Sequence, residues 1–157
     1  MTGLDWFLII FTLAIVGIQT TWGTKDFDLV FYEMLTVIIT AIVCTKLFQW
    51  MSDISKLSPM FIFIFLFVIL ELILLIVAGE LGKRTELAWP PFDSILSFFF
   101  GIVTAWALLY ILLRIASLGN FPLMSQASIQ KSALAQEILG FKTFHALFNF
   151  LSKLSTW

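Results

Sequence analysis

The chain has 157 residues, of which 61% are hydrophobic and 12% charged, and its formal net charge is −1. Soluble domains contain roughly half apolar and about a quarter charged residues, so this composition indicates an integral membrane protein. The balanced charge excludes a basic surface for nucleic acid, and the length leaves no room for a separate soluble domain beside the spans.

Long apolar segments predict four membrane-spanning helices. The clearest is residues 59–79, which is apolar except for Pro59, Glu71 and the closing Gly79. At about 1.5 Å of rise per residue this segment is roughly 30 Å long, which is the thickness of a bilayer's hydrocarbon core. We therefore predict an all-α integral membrane protein with a four-helix transmembrane bundle in residues 1–118. Its predicted spans are about 4–22, 27–51, 59–82 and 93–115.

The remaining residues, 119–157, predict an amphipathic helical tail. Ser125 to Leu139 is typical of a mildly amphipathic helix, and Gly140 interrupts it. From Phe141 to Trp157 the apolar residues follow a helical period, which favours a helix in the membrane interface or packed on the bundle. His145 lies in this segment without the cysteine or acidic neighbours that a metal site needs.

Glu71 lies in the middle of the third span, where an ionisable side chain is costly enough to need a reason. One hypothesis is a proton or cation relay, since a carboxyl group in that position can exchange a proton during transport. The other is a structural role in which Glu71 is hydrogen-bonded to threonine or glutamine on a neighbouring helix.

The second span carries a narrow polar stripe. Its members Glu33, Thr36, Thr40 and Cys44 are spaced 3, 4 and 4 residues apart, which places them on one helical face. Such a stripe either lines a water-filled path or forms a helix–helix interface with interhelical hydrogen bonds. Because Glu33 lies near a helix end, we expect its carboxylate to be solvated, like that of Glu80.

We expect one face of the first span and one face of the fourth span to point toward protein rather than toward lipid. Asp5, Thr12 and Gln19 recur every seven residues along the first span and share one face. Ser97, Gly101 and Ala105 are spaced four apart in the fourth span. These small residues allow close approach of another helix, either within the chain or from a second copy.

No motif in the chain predicts catalysis. There is no Ser-His-Asp arrangement, glycine-rich phosphate loop or paired set of metal-binding carboxylates. We therefore predict no catalytic residue, no metal site and no cofactor, and expect that the protein is not an enzyme.

The placement of a few residues resembles the colicin V production protein (CvpA) family of bacterial inner-membrane proteins. Asp5 lies at the start of the first helix, and Gly23 is closely followed by the basic Lys25 in the first loop. Asp93 opens the fourth helix, with Gly101 eight residues later. The resemblance covers about residues 3–115.

The chain also departs from that family. Ser94 replaces a basic residue after the aspartate, and Ser97 and Ala105 stand where glycines are common. Glu71 is not part of the family pattern, so a role for it would be particular to this protein.

The resemblance implies a four-helix inner-membrane protein linked to colicin V export and envelope homeostasis. Some relatives carry a periplasmic protease after the four helices, which implies that both termini lie outside the cytoplasm and Lys25 inside it. The count of basic residues by itself nominally favours a cytoplasmic N-terminus instead.

Two functions are consistent with the sequence. The first is a non-enzymatic inner-membrane scaffold or accessory protein that supports envelope homeostasis or secretion. The alternative is a small oligomeric channel or proton-coupled transporter that uses Glu71. Either one predicts the lipid bilayer as environment and a homo-oligomer or a larger membrane complex as the working form, without nucleic acid.

Overall fold

The computed structural model describes residues 1–54, 57–85, 87, 92–119 and 124–140. Within these ranges the chain forms helices and no strand, and four of the helices are long and apolar enough to cross a membrane. The predicted all-α membrane fold is confirmed. The helices are α1 (Gly3–Gly23), α2 (Phe27–Ile54), α3 (Pro59–Gly82), α4 (Asp93–Gly119), α5 (Gln126–Lys131) and α6 (Ala133–Gly140). The predicted segment from Phe141 to Trp157, with His145, lies outside the described residues.

Local signals explain where the helices begin. Thr2 precedes α1, and its hydroxyl accepts the backbone N–H of Asp5 while the Asp5 carboxylate accepts the backbone N–H of Thr2. This capping box satisfies donors that would otherwise face the membrane surface unpaired. Pro59 occupies the first turn of α3, where its missing N–H costs nothing.

The four long helices pack in the order α1, α4, α2, α3. Helix α1 packs mainly on α4, and α2 contacts both α3 and α4, whereas α3 touches α4 only slightly. Helix α3 is the least buried of the four and α4 the most buried. The outer surface of α3 is a continuous apolar face suited to lipid, which includes Phe61, Phe65, Leu72, Ile73 and Ile76.

The predicted small-residue face of α4 packs against α1 of the same chain. A Cβ atom added to Gly101 would lie 3.0 Å from the Cα of Val16 and 3.1 Å from the Cβ of Gln19. Ser97, one turn earlier on α4, lies directly against Gly23 of α1, where an added Cβ would overlap the serine side chain. Only glycine permits this approach, and Ala105 further along the same helix is fully buried.

Helices α5 and α6 lie against the end of the bundle formed by the start of α1 and the end of α4. A shared cluster of buried apolar side chains joins these four helices: Leu4, Leu8, Leu109, Leu113, Ile129, Ala135 and Ile138. A second cluster joins α2, α3 and α4 through Val37, Ala41, Cys44, Phe63, Ala107 and Ile111.

The structure differs from the predicted elements at three places. Helix α2 continues to Ile54 rather than ending near residue 51. Helix α4 continues to Gly119 rather than ending near residue 115, because Ala116 is buried and Ile115 and Leu118 pack on the second cluster. Where one helix was predicted from Ser125 to Leu139, Ser132 adopts an extended backbone with ψ of 117° and separates α5 from α6.

The contact between Gly23 and Ser97 can be tested by a pair of substitutions. Gly23→Ala is expected to lower the free energy of unfolding by about 1–3 kcal/mol, because the new methyl group overlaps Ser97. In a Ser97→Gly background the same substitution should cost nothing, since both overlapping atoms are gone. Thermal unfolding in detergent, followed by circular dichroism, measures both effects.

Gly17→Ala is the matched control, because a Cβ added there meets nothing within 4 Å. Equal melting temperatures for Gly23→Ala and Gly17→Ala would contradict the described contact.

Candidate functional site

The carboxylate of Glu71 is held by two threonine hydroxyls of the neighbouring helix. Thr40 donates to Oε2 of Glu71 at 2.7 Å, and Thr36 lies 3.2 Å from Oε1. Both threonines are buried, whereas Glu71 itself is half-buried. Glu71 lies near the middle of α3, roughly 17 Å from either end at about 1.5 Å of rise per residue. The polar stripe of α2 therefore faces Glu71, the acidic residue in the middle of α3.

The two donors are not equivalent. The hydroxyl of Thr36 also lies 2.9 Å from the backbone oxygen of Glu33, so its single proton is shared between two acceptors. The hydroxyl of Thr40 donates to Glu71 at 2.7 Å, which is shorter than the 3.2 Å from Thr36 to Glu71. Thr40 is therefore the principal partner of the intramembrane carboxylate.

Glu33 is bonded across to the first helix. Its Oε2 accepts a hydrogen bond from Nε2 of Gln19 at 2.8 Å, and Gln19 is buried. Glu33 was expected to be solvated; the structure places it half-buried, with one carboxylate oxygen bonded to Gln19 of α1. By contrast Glu80 is exposed, and it forms an ion pair with Lys83 at 2.8 Å.

Together these groups form a polar column from the middle of the bundle toward one of its ends. Glu33 lies seven residues before Thr40, about 10 Å nearer the loop between α1 and α2. At that end Tyr32 and Thr85 join α2 to the loop after α3 through their hydroxyls, 3.0 Å apart. Asp28 accepts the backbone N–H of Leu87 at 2.8 Å in the same region.

The column borders on buried polar atoms that have no hydrogen-bond partner within the described residues. These atoms are Oε1 of Gln19, Oγ of Ser97 and Oγ1 of Thr104. Gln19 thus uses its amide nitrogen on Glu33 and leaves its amide oxygen unpaired at the contact between α1 and α4. Cys44, the last member of the stripe, is fully buried in the apolar cluster of α2, α3 and α4.

Asp5 organises a second polar contact at the opposite end of the bundle. Its Oδ2 accepts from the backbone and hydroxyl of Thr2, and its Oδ1 accepts from the hydroxyl of Ser132 and, at 3.4 Å, from the backbone N–H of Leu134. Ser132 also caps α6, since its Oγ accepts the backbone N–H of Ala135 at 3.0 Å. The Asp5 carboxylate thus lies at the N-terminal end of α6, where a negative charge is favourable.

The other residues that carry the family resemblance do not join a common site. Gly23 and Gly101 lie at the contact between α1 and α4, and Lys25 is exposed in the loop that follows α1. Asp93 is the first residue of α4. Asp5 lies at the other end of the bundle from Lys25 and Asp93, so these motif residues act at separate places.

The arrangement around Glu71 suits two kinds of chemistry. Hydroxyl donors on a neighbouring helix fix the position and rotation of α3, and the same hydroxyls can exchange a proton with a carboxyl group. Within the described ranges no group of three or more histidine, cysteine or acidic side chains is placed to hold a metal ion.

Two partners in these contacts were missed by sequence reasoning. Gln19 was placed on the protein-facing side of α1 by its seven-residue spacing, but nothing in that spacing indicates Glu33 as its partner. Ser132 lies 127 positions after Asp5, and its only local signal is a serine just before a helical segment.

Comparison of the chain with protein-family models, with curated proteins and with solved structures found no match.

Removing the principal hydroxyl donor should weaken the attachment of α3. Thr40→Val keeps the shape of the side chain and leaves Glu71 with the shared donor Thr36, so we expect a loss of about 1 kcal/mol in unfolding free energy. Thr36→Val should cost less, because its hydroxyl proton is shared with its own helix. Thermal or denaturant unfolding in detergent measures the difference.

Thr21→Val serves as the control for that series, since Thr21 is exposed and its hydroxyl bonds only to carbonyl groups of α1. The described hydrogen bond would be contradicted by equal losses for Thr40→Val and Thr21→Val.

The link between Asp5 and Ser132 should hold α6 on the bundle. Ser132→Ala removes both the cap of α6 and the bond to Asp5, whereas Ser125→Ala removes only the cap of α5. We expect Ser132→Ala to speed amide hydrogen exchange in residues 133–140 by roughly tenfold or more, since a cap alone is worth about 1 kcal/mol. Ser125→Ala should affect residues 126–131 only.

Asp5→Ala gives an independent check on the same contact and should speed exchange in residues 133–140 as Ser132→Ala does. Unchanged exchange in α6 in either variant would show that apolar packing alone holds α6.

Proposed function

We propose that this protein is a non-enzymatic scaffold or accessory protein of the bacterial inner membrane that supports envelope homeostasis or secretion. In this proposal both termini lie outside the cytoplasm and Lys25, Lys83 and Arg84 lie inside it. The resemblance of the motif residues to the colicin V production family supports the compartment, the orientation and the process.

The observation that carries the proposal is the attachment of Glu71. Both oxygens of its carboxylate lie within hydrogen-bond distance of hydroxyls of one neighbouring helix, and Thr40 and Thr36 are buried. These hydrogen bonds hold α3 against α2 with one particular face of α3 toward α2. A scaffold protein needs helices in fixed positions, and Glu71 contributes to this by holding α3 against α2.

The interface between α1 and α4 supports the same proposal. A Cβ added at Gly101 would lie 3.0 Å from backbone of α1, so the two helices cannot approach further or slide past side chains there. The link from Asp5 to Ser132 fixes α6 onto these helices. The bundle therefore presents fixed surfaces to its surroundings, as a protein that positions others must.

A second function is favoured by the polar column from Glu71 to Glu33 and Gln19. The hydroxyl of Thr36 bonds to the Glu71 carboxyl and to the backbone oxygen of Glu33, and the Glu33 carboxyl bonds to Gln19, so polar groups extend from the middle of the bundle toward one end. We therefore keep a small oligomeric channel or proton-coupled transporter as the alternative, with a complete path formed between copies of the chain.

Flux through reconstituted liposomes separates the two functions. For a scaffold, proton and monovalent-cation leak with the purified protein should equal that of empty liposomes, and Glu71→Gln should change stability alone. For a transporter, leak above the empty control should disappear in Glu71→Gln with the fold intact. A pH-sensitive dye inside the liposomes and a potassium gradient measure both.

Glu80→Gln is the matched control, because Glu80 is an exposed glutamate of the same helix whose ion pair with Lys83 contributes little to stability. The scaffold proposal fails if the wild-type protein conducts and Glu71→Gln, but not Glu80→Gln, removes the flux.

A further inference from the structure

A cavity of about 130 Å³ opens between α2, α3 and α4 at the end of the bundle where the chain begins. It is lined by Thr45, Phe48, Phe63, Arg114 and Leu118. Phe63 lies four residues into α3 and Leu118 lies in the last turn of α4, so this side of the cavity is within roughly 6 Å of those helix ends, whereas Thr45 lies deeper along α2. The side near Phe63 and Leu118 is therefore close to the boundary between lipid headgroups and acyl chains.

The guanidinium of Arg114 is fixed beside this cavity by Tyr110. Nε of Arg114 donates to the phenol oxygen of Tyr110 at 3.3 Å, and the guanidinium carbon lies 5.7 Å from the centre of the tyrosine ring. The same phenol oxygen is 3.4 Å from the hydroxyl of Thr45.

Among the side chains that the structure describes, no carboxylate lies at ion-pair distance from Arg114. The ion pair found among these side chains joins Lys83 and Glu80 at the other end of the bundle. Only the Nε donor of Arg114 is used by Tyr110. The terminal nitrogens of the guanidinium form the fork that binds the two oxygens of a phosphate or carboxylate. In the part of the chain that the structure describes, no negative charge therefore pairs with the positive charge beside the cavity.

The remaining wall of the cavity is apolar. The rings of Phe48 and Phe63 meet edge to face with their centres 5.6 Å apart, and Leu118 lies beside them. Phe63 is buried, so this wall is rigid. Next to it runs the bare apolar surface of α3, which continues toward the other end of the bundle.

We propose that this cavity binds an anionic phospholipid. The phosphodiester oxygens accept hydrogen bonds from the terminal nitrogens of Arg114. The first methylene groups of an acyl chain lie against Phe48 and Leu118, and the rest of the chain follows the outer surface of α3. The guanidinium fork of an arginine near a helix end matches the paired oxygens of a lipid phosphate.

The charge and the size of the cavity both favour this ligand. A zwitterionic lipid carries its own ammonium group and gains less from the guanidinium of Arg114 in a region of low dielectric. The cavity is far too small for a whole lipid, so it selects the headgroup while the bilayer accommodates the chains.

Lipid binding to the full chain tests the proposal. The purified protein is stripped of lipid in detergent and titrated with phosphatidylglycerol or with phosphatidylcholine of the same chain length. Native mass spectrometry counts the bound lipids, and thermal unfolding measures stabilisation. We expect the wild-type protein to prefer phosphatidylglycerol by about tenfold, the contribution of one charge-assisted contact.

Three variants identify the site. Arg114→Gln should remove the preference, and Leu118→Trp, which fills the cavity without changing charge, should reduce binding of phosphatidylglycerol. Arg84→Gln is the matched control, because Arg84 is an exposed arginine at the opposite end of the bundle, and it should keep the preference.

The proposal is overturned if the wild-type protein shows no preference, or if Arg114→Gln retains it. Equal loss in Arg114→Gln and Arg84→Gln also overturns it, because that result shows diffuse attraction to positive charge. Melting temperatures in lipid-free detergent are compared first, to show that each variant is folded. Arg114→Lys keeps the positive charge but lacks the guanidinium fork, so it should show an intermediate preference for phosphatidylglycerol.

Discussion

The close contact between α1 and α4 determines where the other elements lie. The two helices meet closely because glycine occupies position 23, where a Cβ would overlap Ser97, and position 101, where a Cβ would be in tight contact with Val16 and Gln19. Helix α1 has few contacts with α2, so the hydrogen bond from Gln19 to Glu33 depends on α4 holding α1 in place. The same pairing brings the start of α1 beside the end of α4, and this is the surface on which α5 and α6 pack.

Inside a membrane the solvent is as apolar as the helix surface, so burial alone does not select one face of a helix. Helix α3 is the extreme case, since nearly all of its residues are apolar. Glu71 is the side chain that distinguishes one face of α3 from the rest, and its bonds to Thr36 and Thr40 fix the rotation of the helix. A single costly residue thus gives a uniform helix its orientation.

The sequence allows the four spans to be predicted from apolar length, and the stripe on α2 from its spacing, because both are local properties of one segment. Periodicity identifies a face but not the element that covers it. The partner of Glu71, the turning of Glu33 toward Gln19 and the bond from Ser132 to Asp5 all depend on how helices are arranged around each other. The break at Ser132 was missed for the same reason. The amphipathic pattern continues through Ser132 and predicts one helix, but the Ser132 hydroxyl bonds to Asp5 and to the first turn of α6, and the chain there forms two helices.

The pairing of α1 with α4 also has a consequence for how the protein is made. Helix α1 is synthesised before α2, α3 and α4, yet its main neighbour is α4. At about 5–20 residues per second, α1 waits for several seconds in the membrane with Gln19 and the groove around Val16 uncovered. Helices α2 and α3 can pair as soon as both are synthesised, because they are adjacent in the chain and share the Glu71 contact. The four-helix bundle is therefore completed when α4 enters between α1 and the hairpin of α2 and α3, and until then the face of α1 that α4 covers has no partner from α4.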